Sequence, residues 1–130
     1  MNIVIDTNVI VSAILSVKSN PYRILNLIGN GETVSVYYCA DILAEYKRVL
    51  AYERLSISTE TQIDILNTFK TFGILIEATA SDIPMIDETD RVFYDTAKAA
   101  EAILITGNIK HYPAEPFIMP PADFIKNIGL

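Results

Sequence analysis

The sequence predicts an α/β fold, a three-layer α/β/α sandwich with a central parallel sheet. Two observations point there. Short apolar runs rich in β-branched residues show no polar alternation, as strands buried on both faces do. Longer segments between them carry apolar residues at helical spacing, and strands separated by such helices imply crossover connections.

The elements follow in order. Asn2-Ile3-Val4-Ile5 reads as a buried strand that stops at Asp6-Thr7-Asn8, where Asp6 or Asn8 caps a helix through Val9 to Leu15. Asn20-Pro21 starts a second helix with Ile24, Leu25, Leu27 and Ile28 as its apolar face, and Gly29-Asn30-Gly31 ends it. Thr33 to Tyr38 is a second strand. Asp41 is placed to cap a helix whose stripe is Ile42, Leu43, Tyr46, Val49 and Leu50, with Glu45 off its centre. Ser58 to Phe72 is a helix with Ile63, Leu66, Phe69 and Phe72 facing inward and Gly73 as its stop. Ile74-Leu75-Ile76 gives a third strand. After Pro84, the acids of Asp87-Glu88-Thr89-Asp90 lead into a helix from Arg91 to Ala100. Ala102-Ile103-Leu104-Ile105 is a fourth strand ending in Thr106-Gly107-Asn108. Phe117-Ile118-Met119 is a short fifth, followed by Pro120-Pro121 and a closing helix from Ala122 to Ile128.

Composition narrows the function. The 130 residues read as one domain, 1–130, with 51% apolar and 20% charged residues, an ordinary globular balance. A single cysteine, Cys39, excludes an internal disulfide and a cysteine-based zinc site and fits a reducing compartment. The apolar stretches are far shorter than the roughly 20 residues that span a bilayer. Asp6 interrupts the apolar start and no basic segment precedes it, so a cytoplasmic protein without signal peptide or membrane partner is expected. Sixteen acids against ten bases leave a formal charge of −6. A passive nucleic-acid binder shows the opposite balance. Either nucleic acid is not the ligand, or the acids gather in one place and hold cations.

Parallel sheets bind ligands beyond the carboxyl ends of their strands. Two strands finish there in polar residues, Asp6-Thr7-Asn8 and Thr106-Gly107-Asn108. Each acid also has a plainer reading. Asp6 suits a helix cap, Glu45 an ion pair with Arg48 on a solvated face, and one or two of Asp87, Glu88 and Asp90 a helix's positive N-terminus. With Asp95 these make four acids in nine residues, more than capping needs. Asp90 and Asp95, five apart, lie on neighbouring faces of their helix. His111 is the one histidine, a loop residue that reads as surface, and no Ser–His pairing, P-loop or dinucleotide pattern is present. If the two polar strand ends are neighbours, several carboxylates face one pocket. Such a cluster stays partly protonated or takes a hard cation, Mg²⁺ or Mn²⁺, which activates water and clamps phosphate.

The whole pattern resembles a PIN domain, specifically a VapC-like toxin of a prokaryotic type II toxin–antitoxin system. Four motifs carry the resemblance in order. They are the strand ending in Asp6-Thr7-Asn8; Glu45 within Ala40-Asp41-Ile42-Leu43-Ala44-Glu45-Tyr46; Asp87-x-x-Asp90 leading into Phe93-Tyr94-Asp95; and Ile105-Thr106-Gly107-Asn108 followed by Lys110-His111-Tyr112-Pro113. The resemblance implies a PIN-like sandwich and a metal-dependent endoribonuclease, with Asp6, Glu45 and Asp90 catalytic and holding Mg²⁺ or Mn²⁺. Thr7, Asn8 and Thr106 would orient the carboxylates or contact phosphate. It also implies an RNA substrate, a small antitoxin partner and a homodimer. Many relatives carry a fourth Asp where this chain has Asn108, an uncharged oxygen ligand at best. Asp95 or Asp87 is then the candidate to restore the charge. Lys18, Arg23, Lys47, Arg48, Arg91 and Lys110 are candidates for RNA recognition. A catalytically silent PIN module that binds RNA or protein is the alternative. A phosphoaspartate protein is a weaker one, because Asn8 stands where phosphatases of that kind have a second Asp.

Overall fold

The computed structural model describes residues 1–30 and 33–129. Gly31, part of the predicted helix stop, lies outside them. Five strands form one parallel sheet: β1 (Asn2–Ile5), β2 (Ser35–Tyr38), β3 (Ile74–Leu75), β4 (Ile103–Ile105) and β5 (Ile118–Met119), in the order β3-β2-β1-β4-β5. The central strand explains why the runs are uniformly apolar. Ile3, Val4 and Ile5 point alternately to the two faces, yet none is more than 1% exposed, so helices cover both.

The helices are α1 (Thr7–Leu15), α2 (Asn20–Leu27), α3 (Ala40–Leu50), α4 (Thr59–Phe72), α5 (Arg91–Ala100) and α6 (Pro121–Asn127). Helix α5 packs across β1, β2 and β4, α3 packs beside it, and α4 lies against α3 and β2; α1, α2 and α6 make the other group. Tyr46 of α3 anchors the first group. It is fully buried between Phe69 (ring centroids 4.9 Å apart) and Phe93 (6.3 Å), and its hydroxyl donates to the carbonyl of Ile5. That bond fixes α3 against the end of β1, one residue short of Asp6.

Local chemistry departs from expectation at three helix starts. Ser19, one residue before the predicted start, accepts from Tyr22 N–H and caps α2. Cys39 occupies the cap position of α3, which leaves Asp41 exposed in the first turn, where its charge still favours the dipole. Asp6 occupies the cap position of α1, but its side chain does no capping. It is spent elsewhere.

Helix α4 also differs. Ser58, read as the first helical residue, caps it, and Phe69 is fully buried, but Ile63 and Phe72 are about half exposed. The helix lies against α3 and β2, beside a two-residue edge strand that offers little to cover it. Gly73 stops α4 at a close approach. A Cβ there would stand 2.4 Å from the carbonyl oxygen of Phe69 and 2.8 Å from the Tyr38 ring. Gly73→Ala is expected to destabilise the fold by about 1–3 kcal/mol, because backbone rather than a flexible side chain must yield. Urea unfolding checks this.

Candidate active site

The sheet topology brings the polar strand ends together, because β1 and β4 are neighbours. Asp6 N–H donates to Ile105 O at 2.9 Å, which carries the ladder one residue past β1 and sets the Asp6 side chain beside Thr106. Asp6 is buried, and its Oδ2 accepts from Thr106 Oγ1 (2.8 Å), Tyr112 OH (2.9 Å) and Asn8 Nδ2 (3.3 Å). Asn8 Oδ1 in turn accepts from Gly107 N–H at 2.9 Å, and Thr106 Oγ1 accepts from Asn108 N–H at 3.0 Å. The two strand ends are thus laced through side chains, with one carboxylate oxygen at the centre. Burial raises the Asp6 carboxyl above its usual range, and its hydrogen bonds only partly offset this.

Glu45 reaches the same place from α3. Thr7 Oγ1 donates to its Oε2, and Arg48 Nη2 stands 3.8 Å from its Oε1. Its carboxyl is also raised, first by burial and then, among the charges, by Asp6 and Asp87. Asp90 arrives from the 3-10 turn Glu88–Asp90 that opens α5. Its carboxyl is pushed up to about 6, by burial first and then by the negative charges of Asp6 and Asp87. Its Oδ2 is buried without a hydrogen-bond partner; His111 Nδ1 lies 3.5 Å away but lacks hydrogen-bond geometry. A buried, unpaired carboxylate oxygen is costly to the fold.

Three of the predicted acids therefore lie close enough at this sheet edge for their charges to act on one another, with Thr7, Asn8 and Thr106 bonded to Asp6 or Glu45. Others do not join. Asp95 is buried, and its Oδ2 accepts from Ser81 N–H at 3.0 Å, on a groove lined by Cys39, Leu75 and Ile76. Five residues along a helix turn a side chain by about 140°, so Asp95 faces away when Asp90 faces in. Asn108 is exposed and tied in through its backbone. Exposed Asp87 accepts from Thr89 N–H and Oγ1, the capping role that sequence allows any such acid. Arg91 is spent on Glu88, at 2.8 Å to each carboxylate oxygen, and on Ser81.

Sequence reasoning missed two residues. Tyr112 sits buried behind Asp6, its hydroxyl held well above the usual range by burial and by the charges of Asp6 and Asp90, so it remains a donor. His111 is exposed, as its loop position predicts, but its Nδ1 stands 3.5 Å from Asp90 Oδ2, which that reading did not anticipate. Both lie within a motif already singled out, but spacing alone does not tell which loop side chain turns inward.

The donor set is all oxygen, as hard cations prefer. Among the described residues, no three His, Cys, Asp or Glu side chains stand in position to hold one metal ion. Uncompensated carboxylates repel, and two of these are drawn to separate donors, Asp6 to Thr106 and Tyr112, Glu45 to Thr7 and Arg48. The raised carboxyls and the orphaned Asp90 Oδ2 nevertheless fit a divalent cation, which would relieve both.

A family model described as PIN domain matches residues 2–110. The protein described as Uncharacterized protein MJ1680, from Methanocaldococcus jannaschii, is 32% identical over 111 residues, 83% of this chain and 71% of that protein. Among solved structures, a chain of VapBC2 from Rickettsia felis bound to a DNA fragment from their promoter superposes with a TM-score of 0.59. Its identity is 22%, and the match covers 85% of this chain and 90% of that one, a likeness of fold. Among the described residues, no helix is long and apolar enough to cross a membrane. With the family match spanning most of its length, the chain belongs to the PIN domain family, whose members are generally nucleases that typically use divalent metal ions.

Proposed function

We propose that this PIN domain is a Mg²⁺- or Mn²⁺-dependent endoribonuclease and the toxin of a toxin–antitoxin pair. The observation that carries the reading is the convergence of Asp6, Glu45 and Asp90 from three distant segments, with Asp90 Oδ2 buried and unpaired. That the Rickettsia felis neighbour is a VapBC assembly supports a small antitoxin partner. We extend the reading to a cytoplasmic homodimer, for which exposed Leu15 and Val17 offer apolar surface.

In this reading Asp6, Glu45 and Asp90 hold the ion, which when bound activates water and stabilises charge on the phosphate. The chain's own work is positioning. Thr106, Tyr112 and Asn8 fix Asp6 through Oδ2, and Thr7 fixes Glu45. Tyr112→Phe keeps the ring and removes one donor. It is expected to weaken Mn²⁺ binding by about tenfold to a hundredfold, the usual effect of losing a group that orients a ligand. Calorimetric titration of the folded variant checks it.

The test of function is cleavage of a mixed RNA pool by antitoxin-free protein in Mn²⁺, Mg²⁺ or EDTA, beside Asp6→Asn. Metal-dependent cleavage lost in the variant supports the nuclease. A silent module that binds RNA or protein is the second reading, favoured because among the described residues no three acids are placed to hold one ion and Asn108 is exposed. No cleavage and no Mn²⁺ binding at millimolar metal would decide for it.

A further inference from the structure

We infer that Arg48, Tyr52 and Arg54 form a phosphate-binding subsite for single-stranded RNA at the edge of the acidic site. The inference rests on the nuclease reading for its substrate class. The guanidinium carbons of Arg48 and Arg54 stand 5.9 Å and 5.3 Å from the centroid of the Tyr52 ring. Arg48 also donates to the Tyr52 hydroxyl. One aromatic ring thus gathers two guanidiniums that would otherwise repel and move freely. The Arg48 side chain is 59% exposed, and its other terminal nitrogen stands 3.8 Å from Glu45 Oε1, so the pair adjoins the acids.

Charge argues for an anionic ligand here. The chain carries −6 overall, yet residues 47 to 54 hold Lys47, Arg48 and Arg54 against Glu53 alone. An RNA strand is repelled by the molecule as a whole and by the carboxylates in particular. Its affinity must come from local cations, and guanidiniums held at fixed spacing are the side chains best suited to phosphate oxygens. The other arginine near the acids, Arg91, is already committed to Glu88 and Ser81. A strand laid along the end of α3 would meet Arg54 and Arg48 before Glu45.

The experiment is fluorescence anisotropy of a labelled, unstructured RNA against the full chain in EDTA, across a salt series, so that no cleavage is needed. Arg48→Ala and Arg54→Ala are each expected to weaken binding about fivefold at low salt. Each lowers the slope of log affinity against log salt by about 0.7, the share of one single-strand phosphate. Tyr52→Ala weakens binding but leaves the slope, since both cations remain. Lys126→Ala, an exposed charge on α6, changes neither. Unaltered slopes in folded arginine variants overturn the subsite. So does unaltered RNA affinity with lost binding of a poly-glutamate peptide, which would assign the patch to an acidic protein partner. Because binding is read without metal, this test stands whether or not the protein cleaves RNA, and the two readings fail separately.

Discussion

Asp6→Asn is expected to abolish metal-dependent RNA cleavage, with a fall of at least about a hundredfold, while the protein stays folded. Groups that merely orient a ligand cost about 10- to 100-fold when lost, and a ligand costs more. The prediction separates chemistry from stability because of where the bonds fall. Thr106, Tyr112 and Asn8 all donate to Oδ2, and the carbonyl oxygen of an asparagine can accept from the same three. The amide nitrogen then takes the place of Oδ1, which removes the charge and replaces a would-be cation ligand by a donor. Burial penalises the charge that is removed, so thermal unfolding of the metal-free variant matches or exceeds that of the parent. Initial rates in Mn²⁺ together with a melting curve check both halves. A folded variant that cleaves at the parental rate removes Asp6 from the chemistry.

The strands and their parallel arrangement were legible from short apolar runs separated by helical patterns, although their order in the sheet was not, and β3 proves exposed rather than buried. Their ends were legible too, since Asp6 and Thr106 each follow an uninterrupted apolar run. What sequence could not show is how a side chain is spent. Asp6 has the spacing of a helix cap and occupies the cap position, yet it accepts from a tyrosine 106 residues away. Ser19 competes with Asn20 for the cap of α2, and Cys39 with Asp41 for that of α3, one or two residues apart, where small backbone differences decide. Ile63 and Phe72 read as core from their period, but a period gives the face of a helix and not whether anything lies opposite it. For Asp95 the information was present: five residues from Asp90 already places it on another face, and Ser81 N–H meets it there.

Asp90 supplies the second large effect, and it runs against the usual direction of mutation. Its carboxyl is raised to about 6 from an ordinary 3.8, by burial and then by the charges of Asp6 and Asp87. An acid with a raised folded value stabilises the fold fully below its unfolded value and loses that contribution as pH rises through the folded one. Metal-free protein therefore loses this stability as pH climbs from about 4 through about 6. Near neutral pH Asp90 is ionised among like charges, with Oδ2 unpaired. Asp90→Asn keeps the size and removes the charge, so the metal-free variant is expected to melt roughly 2–5 °C higher at pH 7.5, a figure discounted for partial exposure. The gain vanishes near pH 4, where the parent carboxyl is protonated as well. Millimolar Mn²⁺ reverses the ranking, because an ion that binds the native acids stabilises the parent and has one ligand fewer to hold it in the variant. Melting curves at pH 4 and 7.5, with Mn²⁺ and with EDTA, check all three statements. A variant that melts below its parent at pH 7.5 in EDTA would show that Asp90 serves the fold rather than the ion.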